Sequence, residues 1–551
     1  MLKRITHIMI CTSLLLTACN GVQTVSNAPA RAVSTTVQQT PLKPSVGCEQ
    51  RFVRHELPHH THSGDIGSYV YVSNGSGLAI GDLNGDLRDD IALGNLAGSV
   101  TILLNQGGLA FESIQTSLSD VRALSIVDTD GDGTNELVAT KRFERPVIGQ
   151  LDSQNQLQLR PMPNVYTAFY AMGWQDVNRD GYLDVVLGTY DTEQLQKQGL
   201  IFNQRGGGGV FVYTYDGQTY TGTRLNNGAD ALAIAFPDLN QDGLTDIHVG
   251  NDFNRADGIW LRQGDAWQKI APFAQTTENT MGIDYADFDN NGRLDIFATD
   301  MKPYNQDVKT MAMWLPAMSK LTRPLSADDP QYPENTLYSW DGKRWVNRAY
   351  DLQVDATGWS WSGKFGDLNN DGWQELYVVN GMIAKDLLGH LDNAEIREAN
   401  MLFHNIAGTK FTPVDWGLGD TSSGRSMSMA DFDEDGDLDV IINPLDAPAV
   451  LFENRMCGGN ATLITLNDPT SANHAAIGAI ATVHVADLTM TRQVKSESGY
   501  LAGESRTLHY GVADAKVIDS INIIWPDGTQ SMIEQLPVNH HITITKGQTN
   551  E

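Results

Sequence analysis

Seven times between Asp82 and Asp439 the chain repeats one acidic nonapeptide, and this repetition constrains the fold more than any other feature. The copies read DLNGDLRDD from Asp82, DTDGDGTNE from Asp128, DVNRDGYLD from Asp176, DLNQDGLTD from Asp238, DFDNNGRLD from Asp287, DLNNDGWQE from Asp367 and DFDEDGDLD from Asp431. Their starts lie 46, 48, 62, 49, 80 and 64 residues apart. Positions 1, 3, 5 and 9 carry only Asp, Asn or Glu. Carboxylates this crowded repel one another unless a cation or water intervenes. A chain of 551 residues is too long for one simple core, but a repeated unit lets a single architecture reach that length.

The spacing suits calcium. A hard cation takes about six to eight oxygens, and a loop offering side chains at positions 1, 3 and 5, a carbonyl at 7 and a further carboxylate wraps one ion. The candidate ligands are Asp82, Asn84, Asp86 and Asp90 in the first loop, and Asp128, Asp130, Asp132 and Glu136 in the second. The third offers Asp176, Asn178, Asp180 and Asp184, and the fourth Asp238, Asn240, Asp242 and Asp246. Asp287, Asp289, Asn291 and Asp295 follow, then Asp367, Asn369, Asp371 and Glu375, and finally Asp431, Asp433, Asp435 and Asp439. An EF-hand would need a Glu at position 12, where the first two copies have Leu93 and Ala139. Of the 28 side-chain positions 23 are acidic, so up to seven calcium ions would offset much of the formal charge of −29. Six copies place Gly at position 6; the first has Leu87, where a left-handed turn costs roughly 1 kcal/mol or more. The first loop is therefore expected to bind most weakly.

The flanks are short β-rich runs such as SGLAIGD before and IALGN after the first copy, so each loop joins two strands. Gly77, Ala79 and Gly81 suit the crowded centre of a closed ring. The expected fold is all-β, a seven-bladed propeller with calcium loops followed by a small β-rich domain. Repeat spacings beyond ~50 residues imply inserts. The loops resemble FG-GAP or VCBS repeats, also found in integrin α chains. Asn279–Met301 and Thr357–Gly381 look more narrowly like the cartilage acidic protein group, whose members end in an ASPIC/UnbV domain. AIGAIATVHV and the stretch from Ser498 to Gln530, with its Tyr-Leu, His-Tyr-Gly and Trp-Pro-Asp-Gly steps, resemble that domain. The resemblance covers roughly residues 50 to 546 and implies a propeller over 48–456 and an ASPIC/UnbV domain over 457–551.

Lys3 and Arg4, an apolar run to Leu16 and small residues up to Cys19 have the layout of an export signal over 1–18. Leu16-Thr17-Ala18-Cys19 resembles the bacterial lipobox, which implies lipidation of Cys19, a membrane anchor and, with Asn20 following, the outer membrane. Residues 19–47 read as a flexible tether. That leaves Cys48 and Cys457, placed just before and just after the repeats, and an exported chain is expected to join them in a disulfide.

Negative charge without a basic cluster argues against nucleic acid. His55, His59, His60 and His62 are a weak transition-metal candidate, since no Cys or carboxylate triad accompanies them. There is no Gly-x-Ser-x-Gly elbow, and Arg205–Val210 is a flexible turn with no Lys-Ser/Thr after it. The inserts at 302–356, with Trp314, Tyr332, Tyr338, Trp340 and Trp345, and at 382–403, which reads helically, are where binding residues are expected. The expected function is non-catalytic binding or adhesion to a protein or glycan at the envelope. The alternative is a sugar lyase or dehydratase, by analogy with calcium-loop propellers that have such activity.

Overall fold

The computed structural model describes residues 31–45, 47–64, 70–199, 207–253, 255–321 and 329–548. The signal segment 1–18 and Cys19 lie outside them, as do Arg205 and Gly206.

Each acidic nonapeptide bends the chain from a short buried strand into an antiparallel partner. Leu78–Gly81 and Asp90–Leu93 flank the first, and Ser99–Asn105 and Phe111–Ser119 complete its four consecutive strands, which Ala502–Gly503 and Glu497–Ser498 extend to a six-stranded sheet. The same order recurs in the sheets that begin with Val121–Val127, Ala171–Gln175, Ala231–Ala235, Ile283–Ala286, Gly358–Gly366 and Ser426–Ala430. These first strands are buried throughout, so both faces of each are covered. Each first strand packs against the next, and Ser426–Ala430 packs against Leu78–Gly81. Seven sheets in cyclic contact have the connectivity of a seven-bladed propeller.

The seventh sheet is completed from the other end of the repeat region: its fourth strand is Arg51–His60, paired antiparallel with Pro448–Arg455. Beside this pairing Cys48 and Cys457 form the expected disulfide, with Cα atoms 5.3 Å apart and a sequence separation of 409. Antiparallel connections alternate ends, so the acidic turns, between first and second strands, share one face of the ring. The long connections between second and third strands share the other. They carry helix Asp191–Gln198 in the third sheet, helix Val308–Leu321 in the fifth and the short helix Lys385–Leu388 in the sixth.

Residues 382–403 were expected to be helical, but only Lys385–Leu388 forms an α-helix before Gly389, and Asn393 takes φ +57° inside the turn that follows. Of the aromatic group, Tyr338, Trp340 and Trp345 lie on the outer strands of the fifth sheet itself. Trp314 is buried against Trp359, with ring centroids 5.3 Å apart, and Tyr332 is exposed.

The C-terminal region forms two four-stranded sheets. One contains Ala461–Asn467, Leu508–Gly511 and His540–Lys546; the other contains Ile480–Val485, Leu488–Gln493, Val517–Ile524 and Gln530–Pro537. The fourth strand of the first sheet is Thr35–Pro41, antiparallel to His540–Lys546 from Thr35 opposite Lys546 to Pro41 opposite His540. This corrects the tether over 19–47: residues 35–41 are an edge strand. Their side chains are largely exposed and alternate weakly, so the backbone ladder holds them and no hydrophobic period betrays them.

Between its sheets this domain sends residues 497–503 into the centre of the ring. Glu497–Ser498 pairs with Ala502–Gly503, and Ala502 pairs in parallel with Leu78. Gly499 and Ile283 exchange backbone hydrogen bonds of 2.7 and 3.2 Å. Tyr500 is fully buried; its hydroxyl meets the Asn74 carbonyl at 2.8 Å and the Tyr170 hydroxyl at 2.9 Å, and its ring lies 5.1 Å from that of Trp361. Small residues make room: a Cβ on Gly77 would fall 2.2 Å from the Leu501 carbonyl, and one on Gly503 2.9 Å from Ala79. Glu497 accepts bonds from the Ser125 hydroxyl and the Trp174 amide, and Glu504 pairs with Lys364.

Two outcomes are expected. Reducing the disulfide, or Cys48→Ser, should cost about 3–5 kcal/mol of stability, with the strand pair of the seventh sheet becoming the first site of limited proteolysis. Burial pushes the Glu497 carboxyl up to about 7. Its protonated form therefore favours the folded state, a contribution complete below the ordinary carboxylate range and lost as pH rises through 7. Glu497→Gln should leave thermal melting unchanged near pH 5 and stabilise by on the order of 1–3 kcal/mol near pH 8.

Candidate metal centres

All seven nonapeptides fold alike. The position 1 carboxylate accepts the amide N–H groups of positions 5 and 6: Asp176 from Asp180 at 3.2 Å and Gly181 at 3.0 Å, Asp238 from Asp242 at 3.2 Å and Gly243 at 2.8 Å, Asp367 from Asp371 at 3.1 Å and Gly372 at 2.8 Å. Asp82, Asp128, Asp287 and Asp431 do the same. The position 5 side chain then accepts the N–H of position 7, as Asp132 does from Thr134 at 2.8 Å. Position 6 is left-handed everywhere, with φ from +81° at Gly243 to +93° at Gly436, and Leu87 adopts the same turn at φ +69° with its side chain exposed. The conformation expected to penalise the first loop is present there.

Position 9 opens the second strand and faces inward. Asp90 accepts the Leu83 amide on one oxygen and the Asn105 amide, from the third strand, on the other; Asp184 does so with Val177 and Tyr215, and Asp246 with Leu239 and Arg262. One carboxylate thus ties the turn to two strands. Burial raises all seven: Asp90, Glu136 and Asp246 to about 7, Asp184 and Asp295 to about 8, and Glu375 and Asp439 well above the usual carboxylate range.

Four turns gather three ligand atoms within 4.8 Å of one another: Asp128, Asp130 and Glu136; Asp287, Asp289 and Asp295; Asp371, Glu375 and His404; Asp431, Asp433 and Asp435. The donor chemistry fits a hard cation, since oxygen predominates and the crowded like charges are offset only in part, by Arg160 3.4 Å from Asp130 and Arg348 3.5 Å from Asp289. Oδ1 of Asp130 and Oδ1 of Asp289, both at position 3, are buried without a hydrogen-bond partner. The first turn is not among the four, and there Arg88 takes up Asp86 at 3.2 Å. In the third and fourth turns the amides of Asn178 and Asn240 donate to Asp180 and Asp242. Asn84 and Asn369 hold position 3 of the first and sixth turns, Asn291 holds position 5 of the fifth, and Asp439 position 9 of the seventh.

Sequence reasoning missed two histidines. His404 reaches the sixth turn from the third strand of its sheet, 3.5 Å from Asp371, and His474 of the C-terminal domain lies 3.3 Å from Asp128. Neither lies near its turn in sequence. Of the histidine candidates, His55 pairs with Glu453 at 2.7 Å, buried His59 meets the Thr101 hydroxyl at 2.8 Å and the Gly94 carbonyl at 3.2 Å, and His60 stacks on His62 with ring centroids 4.6 Å apart. None of the four joins a metal-binding group among the described residues.

The turns also form the seat of the C-terminal domain. Ser505 bonds Asp89 of the first turn, Ser471 and the Asn473 amide bond the Gly181 carbonyl of the third at 2.8 Å each, and the Thr491 amide meets Asp287 of the fifth at 3.3 Å. The Gly459 and Ala513 amides bond Asn369 and Asn370 carbonyls of the sixth, and His509 meets the Gly436 carbonyl of the seventh at 3.0 Å. With His474 on the second, six of the seven turns touch it.

Comparison with known proteins agrees with this division. Residues 238–298 match the family described as FG-GAP-like repeat, and residues 469–551 match ASPIC and UnbV. The chain carries FG-GAP repeats and an ASPIC/UnbV domain. Human integrin alpha-7 is 29% identical over 136 residues, 23% of this chain and 11% of that protein, so the chain spans about a tenth of that relative's length. Among solved structures, an Agrocybe aegerita lectin recognising non-reducing terminal N-acetylglucosamine aligns over 74% of this chain and 86% of its own, at 13% identity and TM-score 0.40. BBS1N in complex with ARL6DN aligns over 70% and 94%, at 9% identity and TM-score 0.40.

Leu87→Gly should relieve part of the roughly 1 kcal/mol of left-handed strain and strengthen cation uptake by the first turn, while Gly243→Ala should cost about 1 kcal/mol. Thermal melts of both variants with and without calcium check the pair.

Proposed function

We propose that this protein is a calcium-stabilised envelope lipoprotein that acts as a non-catalytic binding or adhesion scaffold for a protein or glycan. One observation carries the reading: the chain's own C-terminal domain occupies the acidic-turn face and fills the ring centre, which leaves the opposite face, with its three inserts, open to a partner. Calcium holds the turns and, through them, the seat of that domain. Each turn filled at a hundredfold excess over its Kd would contribute about 2.7 kcal/mol. Residues 497–503 sit where a channel-bound catalytic metal of the lyase alternative would lie, and this supports binding over catalysis. The lipobox-like sequence at Cys19 supports anchoring, and acidic composition supports a partner other than nucleic acid.

Excess EDTA should lower the melting temperature markedly; an unchanged melt would overturn the calcium reading. Crosslinked pull-down from intact cells should recover a partner in calcium that is lost when residues 303–330 are replaced by a short linker. Recovery of a chemically altered glycan would instead point to an enzyme. Cys19→Ala should release the protein from the membrane fraction.

A further inference from the structure

Three of the four ligand groups in the turns offer oxygen alone; the group of the sixth turn, Asp371, Glu375 and His404, also offers a nitrogen. His404 stands on the third strand of its sheet, Met401–Ile406, with Nε2 3.5 Å from Oδ2 of Asp371 and 4.0 Å from Oε1 of Glu375. An N–H···O hydrogen bond spans about 2.7–3.2 Å, so neither contact has that length. Ligands that share one ion at about 2.1 Å stand roughly 3–4 Å apart, and these atoms do. The remaining neighbour of Nε2 is Nδ2 of Asn369 at 3.4 Å. Oδ1 of Asn369 accepts the Asp371 amide at 3.1 Å, so the group that faces Nε2 is the NH2, which only donates. A protonated Nε2 would set hydrogen against hydrogen there. The arrangement suits a bare Nε2 whose lone pair points into the turn.

We infer that the sixth turn takes a transition-metal ion of the zinc class in place of calcium, held by Nε2 of His404 and the carboxylates of Asp371 and Glu375. Calcium takes oxygen ligands, whereas imidazole suits zinc and its neighbours in the first transition row. Arg492 acts on Asp367 at position 1, but neither Asp371 nor Glu375 pairs with a Lys or Arg among the described residues. A water in this place would have two hydrogens for three acceptors and no charge to set against two carboxylates. The second turn offers no such set: His474 lies 3.3 Å from Asp128 but outside the group of Asp128, Asp130 and Glu136. Zinc uptake here depends on the turns being cation sites but not on calcium filling the other six. The EDTA melt reports on those six and zinc retention on this one, so either can fail alone.

The test dialyses the full chain against zinc in a large excess of calcium. About one zinc ion per chain should be retained, and zinc K-edge absorption should show an imidazole nitrogen among oxygens. His404→Asn should weaken zinc at least about tenfold. Asp371→Asn keeps an Oδ1 to accept the Trp373 amide and removes the charge, so it should weaken zinc to a similar degree, and it decides if His404→Asn fails to fold. Displacement of zinc by the calcium excess or an all-oxygen shell would overturn the assignment. So would zinc held as tightly by His404→Asn, or by Asp371→Asn where the histidine variant does not fold.

Discussion

The structure depends on a carboxylate that accepts backbone amides. In each repeat the first Asp turns the chain by taking the N–H groups of positions 5 and 6, and in five of the seven the ninth residue, which opens the second strand, ties that turn to the third. These carboxylates do what a hydrophobic staple does in other sheets: they fix where one strand ends and the next begins. The arrangement concentrates buried negative charge, which explains why every position 9 group is pushed toward its neutral form and why the donor sets suit a hard cation.

Charge at the turns also explains how two regions become one body. The C-terminal domain binds six turns, largely by amides and hydroxyls donating to carbonyls and carboxylates at the turn tips. It inserts Tyr500 where the seven first strands converge. A ring of seven sheets leaves a hollow at its axis, and the small residues at Gly77 and Gly503 turn that hollow into a fitted socket. Neither part buries its surface without the other.

The repeats were legible because their signal is local: nine residues set the turn, its flanking strands and the number of sheets. The disulfide was legible from the position of two cysteines. What the sequence did not disclose is long-range. Thr35–Pro41 joins a strand some 500 residues away through backbone bonds that leave no hydrophobic period. The burial of Tyr500 in the ring follows from docking, not from its neighbours. His404 enters the sixth turn only through strand register, and the helical pattern at 382–403 was overruled by Gly389 and Asn393.

Closure of the ring by Arg51–His60 carries a consequence for biogenesis. Synthesis runs from the N-terminus, so this strand emerges some 390 residues before Pro448–Arg455, its only ladder partner within the sheet. Throughout that interval it is an open edge able to pair with any nascent strand or neighbouring chain. Its composition answers the hazard: Arg51, Arg54, Glu56 and Pro58 interrupt an otherwise β-prone run, and Pro58 falls at the register shift between Glu56 and His60. The strand that completes the ring is built to wait.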